Sequence, residues 1–226
     1  MFVTLKHQTG KGVSEYIRNL INSGEGQNLD FKFEISDSKK IARSMVAFAN
    51  SDGGKLLIGV KDNGKITGIR TDEEYYMIEA AATMYCKPPV TFKAKVWSIE
   101  GKAVLEVNIP KSGNQPHSAP DPNNKWMVYI RSGDQNRLAN TVLLKLWNRV
   151  KKSNGTFIKF SENEKIVLDY LKENKSITLN KLRKITNLSR YKAETILVNL
   201  LAINVLHINF TEKGVNYFLR EDQHHV

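Results

Sequence analysis

The sequence predicts a mixed α/β (α+β) domain followed by a second, smaller domain of helices that ends in a hairpin. Three observations carry this. Residues 24–68 pass from strand to helix to strand signals within one short stretch. Residues 161–220 read helix, helix, helix, hairpin. Between these regions Lys151–Lys159 reads KKSNGTFIK, a polar break with no apolar period. The expected domains are therefore 1–150 and 161–226, joined by a linker over 151–160.

Taken in order, Met1–Gly12 is polar and carries no structural signal. Val13, Tyr16, Ile17, Leu20 and Ile21 are spaced for an amphipathic helix that Ser23-Gly24 ends. Leu29, Phe31, Phe33 and Ile35 alternate with Asp30, Lys32 and Glu34, as on a half-buried strand. From Asp37 to Asn50 the period becomes helical, with Ile41, Ala42, Met45, Phe48 and Ala49 on one face. Gly53-Gly54 opens a strand over Leu56–Val60, and Asp62-Asn63-Gly64 supplies turn residues for a hairpin to Ile66–Ile69. A helix over 71–86 starts at Thr71 with acids behind it and stops at Pro88-Pro89. Strands are expected over 90–99, 103–109 and 126–131, with a long loop at 110–125, a turn at 132–134 and a helix over 141–150. In the second domain, Ser161 and Glu164 have capping-box spacing. Thr178 and Ser189 begin two further helices, and strands 205–210 and 215–219 flank a turn at 212–214.

Two resemblances follow. The string GEG-x-x-L-D-F-K, a helix ending A-F-A-N-x-x-GG, then L-L-I-G-V-x-D-x-G-x-I-x-G resembles the Schlafen/AlbA-like domain family, and the likeness extends to about Leu146. That family is described as DNA-binding, and its animal Schlafen members cleave RNA through three acidic residues. The order of elements over 161–220 resembles the winged helix-turn-helix of bacterial transcription regulators. Together the resemblances imply a DNA-binding transcriptional regulator. The alternative they imply is a metal-dependent endoribonuclease acting on structured RNA.

Composition bears on the same question. The net charge is +11 with a pI of about 9.6, and the basic residues are scattered, which points to a polyanionic partner: DNA, or RNA under the alternative. Residues 1–150 hold 21 Lys and Arg against 15 Asp and Glu, and residues 151–226 hold 13 against 8, so the second region is more basic for its length. Cys86 is the only cysteine, which excludes intramolecular disulfides and thiolate zinc clusters. No apolar run reaches spanning length and no signal-peptide core opens the chain, so a cytoplasmic protein without a membrane partner is expected.

Candidate site residues divide into two sets. The nuclease resemblance maps onto Glu25, Asp30 and Asp62, which would hold Mg or Mn and activate water at a phosphodiester. Read as ordinary residues, Asp62 belongs to a D-N-G turn and Glu25 to a loop between two glycines. The nucleic-acid set in the first domain is Lys32, the ridge Lys39, Lys40 and Arg43, and Arg131 of a Y-x-R-x-G segment. In the second domain Arg190, Tyr191, Lys192 and Asn199 of the third helix are expected at base edges and phosphates, and Lys181, Arg183, Lys184 and Lys213 at the backbone. The Gly-Lys pairs lack Walker spacing, and His117 has no ligand partner at metal-site spacing. The motif set occurs once, and Val142, Leu146 and Trp147 form an apolar face before the linker, so a homodimer is expected.

Overall fold

The computed structural model describes residues 7–8, 11–71, 73–152 and 160–220. It divides the chain into two compact units, 1–139 and 140–226. In the first unit β1 (His7–Gln8) and α1 (Lys11–Ser23) precede β2 (Leu29–Lys32), α2 (Ser38–Ala49) and β3 (Gly54–Ile58). Then come α3 (Glu73–Met84), β4 (Lys93–Ile99) and β5 (Lys102–Ile109). The short strands β6 (Ala119–Pro120), β7 (Trp126–Met127), β8 (Tyr129–Ser132) and β9 (Gln135–Leu138) close the unit. The main sheet has the order β1-β4-β5-β3-β2, with β2 parallel to β3 across the α2 connection and β5 antiparallel to both β3 and β4.

The two-residue alternation of the strands builds three layers. Leu56, Ile58, Val96, Leu105, Val107 and Ile109 face α2 and α3, where Ile41, Met45, Phe48 and Ile78 complete the larger core. Leu29, Phe31, Leu57, Trp97, Ile99 and Val104 face the other way and pack on Ile17, Leu20 and Ile21 of α1. Asp37 caps α2 by accepting a hydrogen bond from the Lys39 amide at 2.8 Å. At Gly54 a side chain is excluded, because a Cβ would stand 2.4 Å from the Phe48 ring.

Several strands differ from expectation. β2 stops at Lys32 because its carbonyl accepts from the Gly59 and Val60 amides, which takes Phe33 and Ile35 off the ladder. The expected hairpin partner at 66–69 is a single bridge, Val60 to Ile66. The segment 126–131 is two short strands, and β9 follows the turn at Gly133. The loop over 110–125 is pinned rather than loose. Asn50 Nδ2 donates to the His117 and Tyr129 carbonyls, both at 2.8 Å, and the His117 amide donates back to Asn50 Oδ1.

The second unit contains α4 (Thr141–Lys152), α5 (Glu162–Glu173), α6 (Leu179–Thr186), α7 (Arg190–Ala202) and the antiparallel hairpin β10 (Leu206–Thr211) with β11 (Gly214–Leu219). Its boundary falls before α4, not at residue 150. Val142 is buried among Val167, Leu182, Leu197 and Tyr217, and Leu146 packs on the same core. Two of the three side chains of the expected apolar face thus pack on their own unit, and the third, Trp147, is half-buried. Most of the expected linker, 153–159, lies outside the described residues. Ser161 and Glu164 form the capping box of α5, Thr178 caps α6, and Ser189 caps α7. Ile177 adds a one-residue bridge to Tyr217 beside the hairpin. Among the described residues no helix is long and apolar enough to cross a membrane.

Candidate nucleic-acid interface

In the first unit only two of the three acidic candidates come together, Glu25 beside Asp30. Asp30, on the α2-facing side of β2, is 4% exposed and already held by cations. Arg131 Nη2 stands 3.4 Å from its Oδ1 and Lys32 Nζ 2.7 Å from its Oδ2, the latter an ion pair without a hydrogen bond. Glu25 accepts from the Phe31 amide at 2.7 Å. Burial first, and then the neighbouring Asp30 carboxylate, push Glu25 above its ordinary value of 4.5, and the Phe31 amide only partly opposes this. Asp62 is exposed on the turn beyond Val60. Among the described residues no three His, Cys, Asp or Glu side chains are grouped to hold a metal ion. The trio thus does not fit Mg or Mn, because its most buried member is already paired with Arg131 and Lys32.

Arg131 turns inward. It is 4% exposed, and its guanidinium donates to the Gly26 carbonyl at 3.0 Å, the Leu29 carbonyl at 3.2 Å and Asn136 Oδ1 at 3.2 Å, while lying 5.0 Å from the centre of the Phe48 ring. It reaches the Asp30 carboxylate instead, and this burial keeps it off the surface where nucleic-acid contact was expected of it. The ridge on α2 is likewise reduced. Lys39 Nζ donates to Asn124 Oδ1 at 2.7 Å, and Arg43 is half-buried beside the Tyr129 hydroxyl. Lys40 is exposed.

In the second unit the first turn of α7 stands in solvent. Arg190 and Lys192 are exposed, and Tyr191 is 71% exposed with Lys145 Nζ 4.5 Å from its ring centre. Lys181, Arg183 and Lys184 are exposed on α6, and Lys213 sits at the hairpin turn. Arg190 is oriented from below, since its Nε donates to Glu194 Oε1 at 2.9 Å. Burial alone would raise Glu194, but the hydrogen bonds from Lys145 and Arg190 hold it below its ordinary 4.5. Asn199 belongs elsewhere: its Oδ1 accepts from Arg149 of α4, so it is not on the exposed face expected for it. A cleft of about 380 Å³ runs between Arg190, Asn180 and Lys213.

One cluster was missed by sequence reasoning. On the α1 side of the sheet, Lys55, Lys93 and Lys95 surround the buried carboxylate of Glu106 beside Tyr16 and Trp97. Its signal is Lys93-Ala94-Lys95-Val96-Trp97, in which alternation puts both lysines and the tryptophan on one face. Glu106 of β5 and Lys55 of β3 reach it from two other strands.

A family model described as Schlafen, AlbA_2 matches residues 25–140. Among solved structures, the DIP2311 protein from Corynebacterium diphtheriae is 18% identical over 65% of this chain and 34% of its own, with a TM-score of 0.43. The N-terminal domain of a RecG-related protein from Nitrosomonas europaea is 19% identical over 57% of this chain and 90% of that chain, with a TM-score of 0.38. This chain thus spans about a third of the DIP2311 protein.

Proposed function

The chain belongs to the Schlafen, AlbA_2 family, and from that premise we propose that it is a nucleic-acid-binding protein, a DNA-binding transcriptional regulator whose second unit is a winged helix-turn-helix reading duplex DNA. The observation that carries this reading is the solvent-facing first turn of α7. It presents Arg190, Tyr191 and Lys192 in a unit where residues 140–226 hold 15 Lys and Arg against 8 Asp and Glu. The order α5, the Ile177 bridge, α6, α7 and hairpin supports the winged-helix reading. In that geometry α7 enters the major groove, Lys181, Arg183 and Lys184 meet phosphates, and Lys213 meets the backbone from the hairpin. Binding to a two-fold symmetric site brings two copies together on DNA.

Fluorescence anisotropy of the full chain on a labelled duplex tests this. Lys192→Ala is expected to weaken binding by about 1–3 kcal/mol if it contacts a base, or to lower the salt slope by about 1 if it contacts a phosphate. Arg190→Ala is expected to act in the same direction. Affinity that does not change with salt would contradict the reading.

A further inference from the structure

Three strands contribute two cross-strand rows to the sheet face opposite α2. One row is Lys93, Asn108 and Lys55, and the next is Lys95, Glu106 and Leu57. Beyond them Trp97 pairs with Val104, where the face becomes apolar and α1 covers it. The row of lysines and asparagine lies at the other end of this face, and Lys93, Lys95 and Asn108 are exposed there. Between the two ends is a cleft of about 400 Å³, lined by these lysines, Asn108, Glu106, Tyr16 and Trp97.

The interior of the cleft is built, not incidental. Glu106 is 5% exposed and accepts from Tyr16 Oη at 2.8 Å and Trp97 Nε1 at 2.7 Å. Lys55 Nζ donates to Tyr16 Oη at 2.6 Å and stands 3.1 Å from Glu106 Oε1. One carboxylate therefore fixes two rings and one lysine. The Tyr16 and Trp97 ring centres are 5.3 Å apart and inclined at 49°, and Lys95 Nζ is 5.6 Å from the Trp97 ring centre. Glu106 is matched by Lys55, so Lys93 and Lys95 leave the cleft with an excess of positive charge. Among the described residues neither of them is in an ion pair.

We propose that this cleft binds single-stranded nucleic acid, with backbone phosphates on Lys93 and Lys95 and a base against the partly exposed Tyr16 ring, which the buried Trp97 backs. The proposal rests on the reading of the chain as a nucleic-acid-binding protein, and it adds a site in the first unit that α7 does not supply. Cations beside aromatic rings in a groove are how single strands are held without sequence preference. The bases of a duplex are stacked inside it, so a concave wall of this kind favours a strand whose bases are free.

The test uses the full chain, a labelled oligothymidylate and a labelled duplex, read by anisotropy across salt. The double variant Lys93→Glu with Lys95→Glu is expected to lose at least ~10-fold in oligothymidylate affinity, and its salt slope to fall by about 1.4, from about 0.7 for each lost single-strand phosphate contact. Its duplex affinity is expected to stay within ~3-fold of wild type, whereas Arg190→Ala with Lys192→Ala shows the reverse pattern. Because charge reversal next to Glu106 changes the local field, Lys93→Gln with Lys95→Gln repeats the comparison, and a melting curve confirms that each variant is folded. Wild-type oligothymidylate affinity in either folded lysine variant overturns the proposal. Wild-type protein that binds duplex but no oligothymidylate overturns it alone, and protein that binds neither overturns the nucleic-acid reading with it. Thymidine monophosphate that binds as tightly as the oligomer would replace the strand with a free nucleotide and also overturn it.

Discussion

At the residue scale, Arg131 and Glu25 show opposite ways of handling charge. Arg131 braces the loop Gly26–Leu29 from a strand about a hundred residues later, and it neutralises Asp30 where water cannot. Removing it leaves a buried carboxylate with Lys32 as its remaining cation and the Gly26 carbonyl without the donor that Arg131 supplies. Arg131→Ala is expected to destabilise the first unit by about 3–5 kcal/mol. The readout is urea unfolding followed by tryptophan fluorescence, since Trp97 and Trp126 lie in that unit. A loss below ~0.5 kcal/mol, the range of ordinary surface substitutions, would remove the bracing role. Glu25 is protonated more readily in the fold than its ordinary 4.5. The native state therefore holds more proton than the unfolded chain in the window above 4.5, and stability falls as pH rises through that window. Glu25→Gln keeps an acceptor for the Phe31 amide and removes the titration. The variant is expected to unfold at a higher urea concentration than wild type at pH 7, and the difference to close as the pH is lowered below the ordinary carboxylate range. A variant less stable than wild type at neutral pH would contradict this.

At the element scale, the helices were the legible part, because apolar period and caps are local. The Asp37, Ser161, Thr178 and Ser189 caps all occupy N-cap positions. In the box on α5, Ser161 Oγ accepts from the Asn163 amide at 3.3 Å, and Glu164 takes the Ser161 amide at 3.1 Å. Ser161→Ala is expected to cost about 0.5–2 kcal/mol, read as a lower urea midpoint at unchanged m-value. No loss would mean that α5 is held by its packing alone. The strands were less legible. β1 is two residues with no alternation to read, and β2 ends where Gly59 and Val60 occupy the Lys32 carbonyl, a contact that spacing along the chain does not encode.

At the scale of the whole molecule, the boundary before Asn140 changes the meaning of the charge. Residues 1–139 hold 19 Lys and Arg against 15 Asp and Glu, so the smaller unit, at +7, carries most of the chain's +11. This is the arrangement expected where the second unit provides most duplex contact. The same boundary packs Val142, and part of Leu146, on the second unit's own core. Self-association is therefore expected on DNA rather than in free solution. Light scattering should give a mass near the chain's 25.7 kDa without DNA. With a symmetric duplex it should show two chains per duplex. One chain per duplex at saturation would rule out the two-fold arrangement.

The sequence by itself determined the family string from Gly24 to Gly68, the helices with their caps, and the basic balance of the chain. All of these are properties of neighbouring residues or of composition. Tertiary structure alone decided which charges are available. Asp30 and Arg131 are 101 positions apart and meet only because β8 lies against α2 and the β2 edge, so both leave the list of groups that can touch a ligand. Lys93 and Lys95 of β4 meet Lys55 of β3 only because β5 lies between those strands and puts Glu106 at their centre. Pairing of strands remote in sequence sets that assembly, and no local period records it.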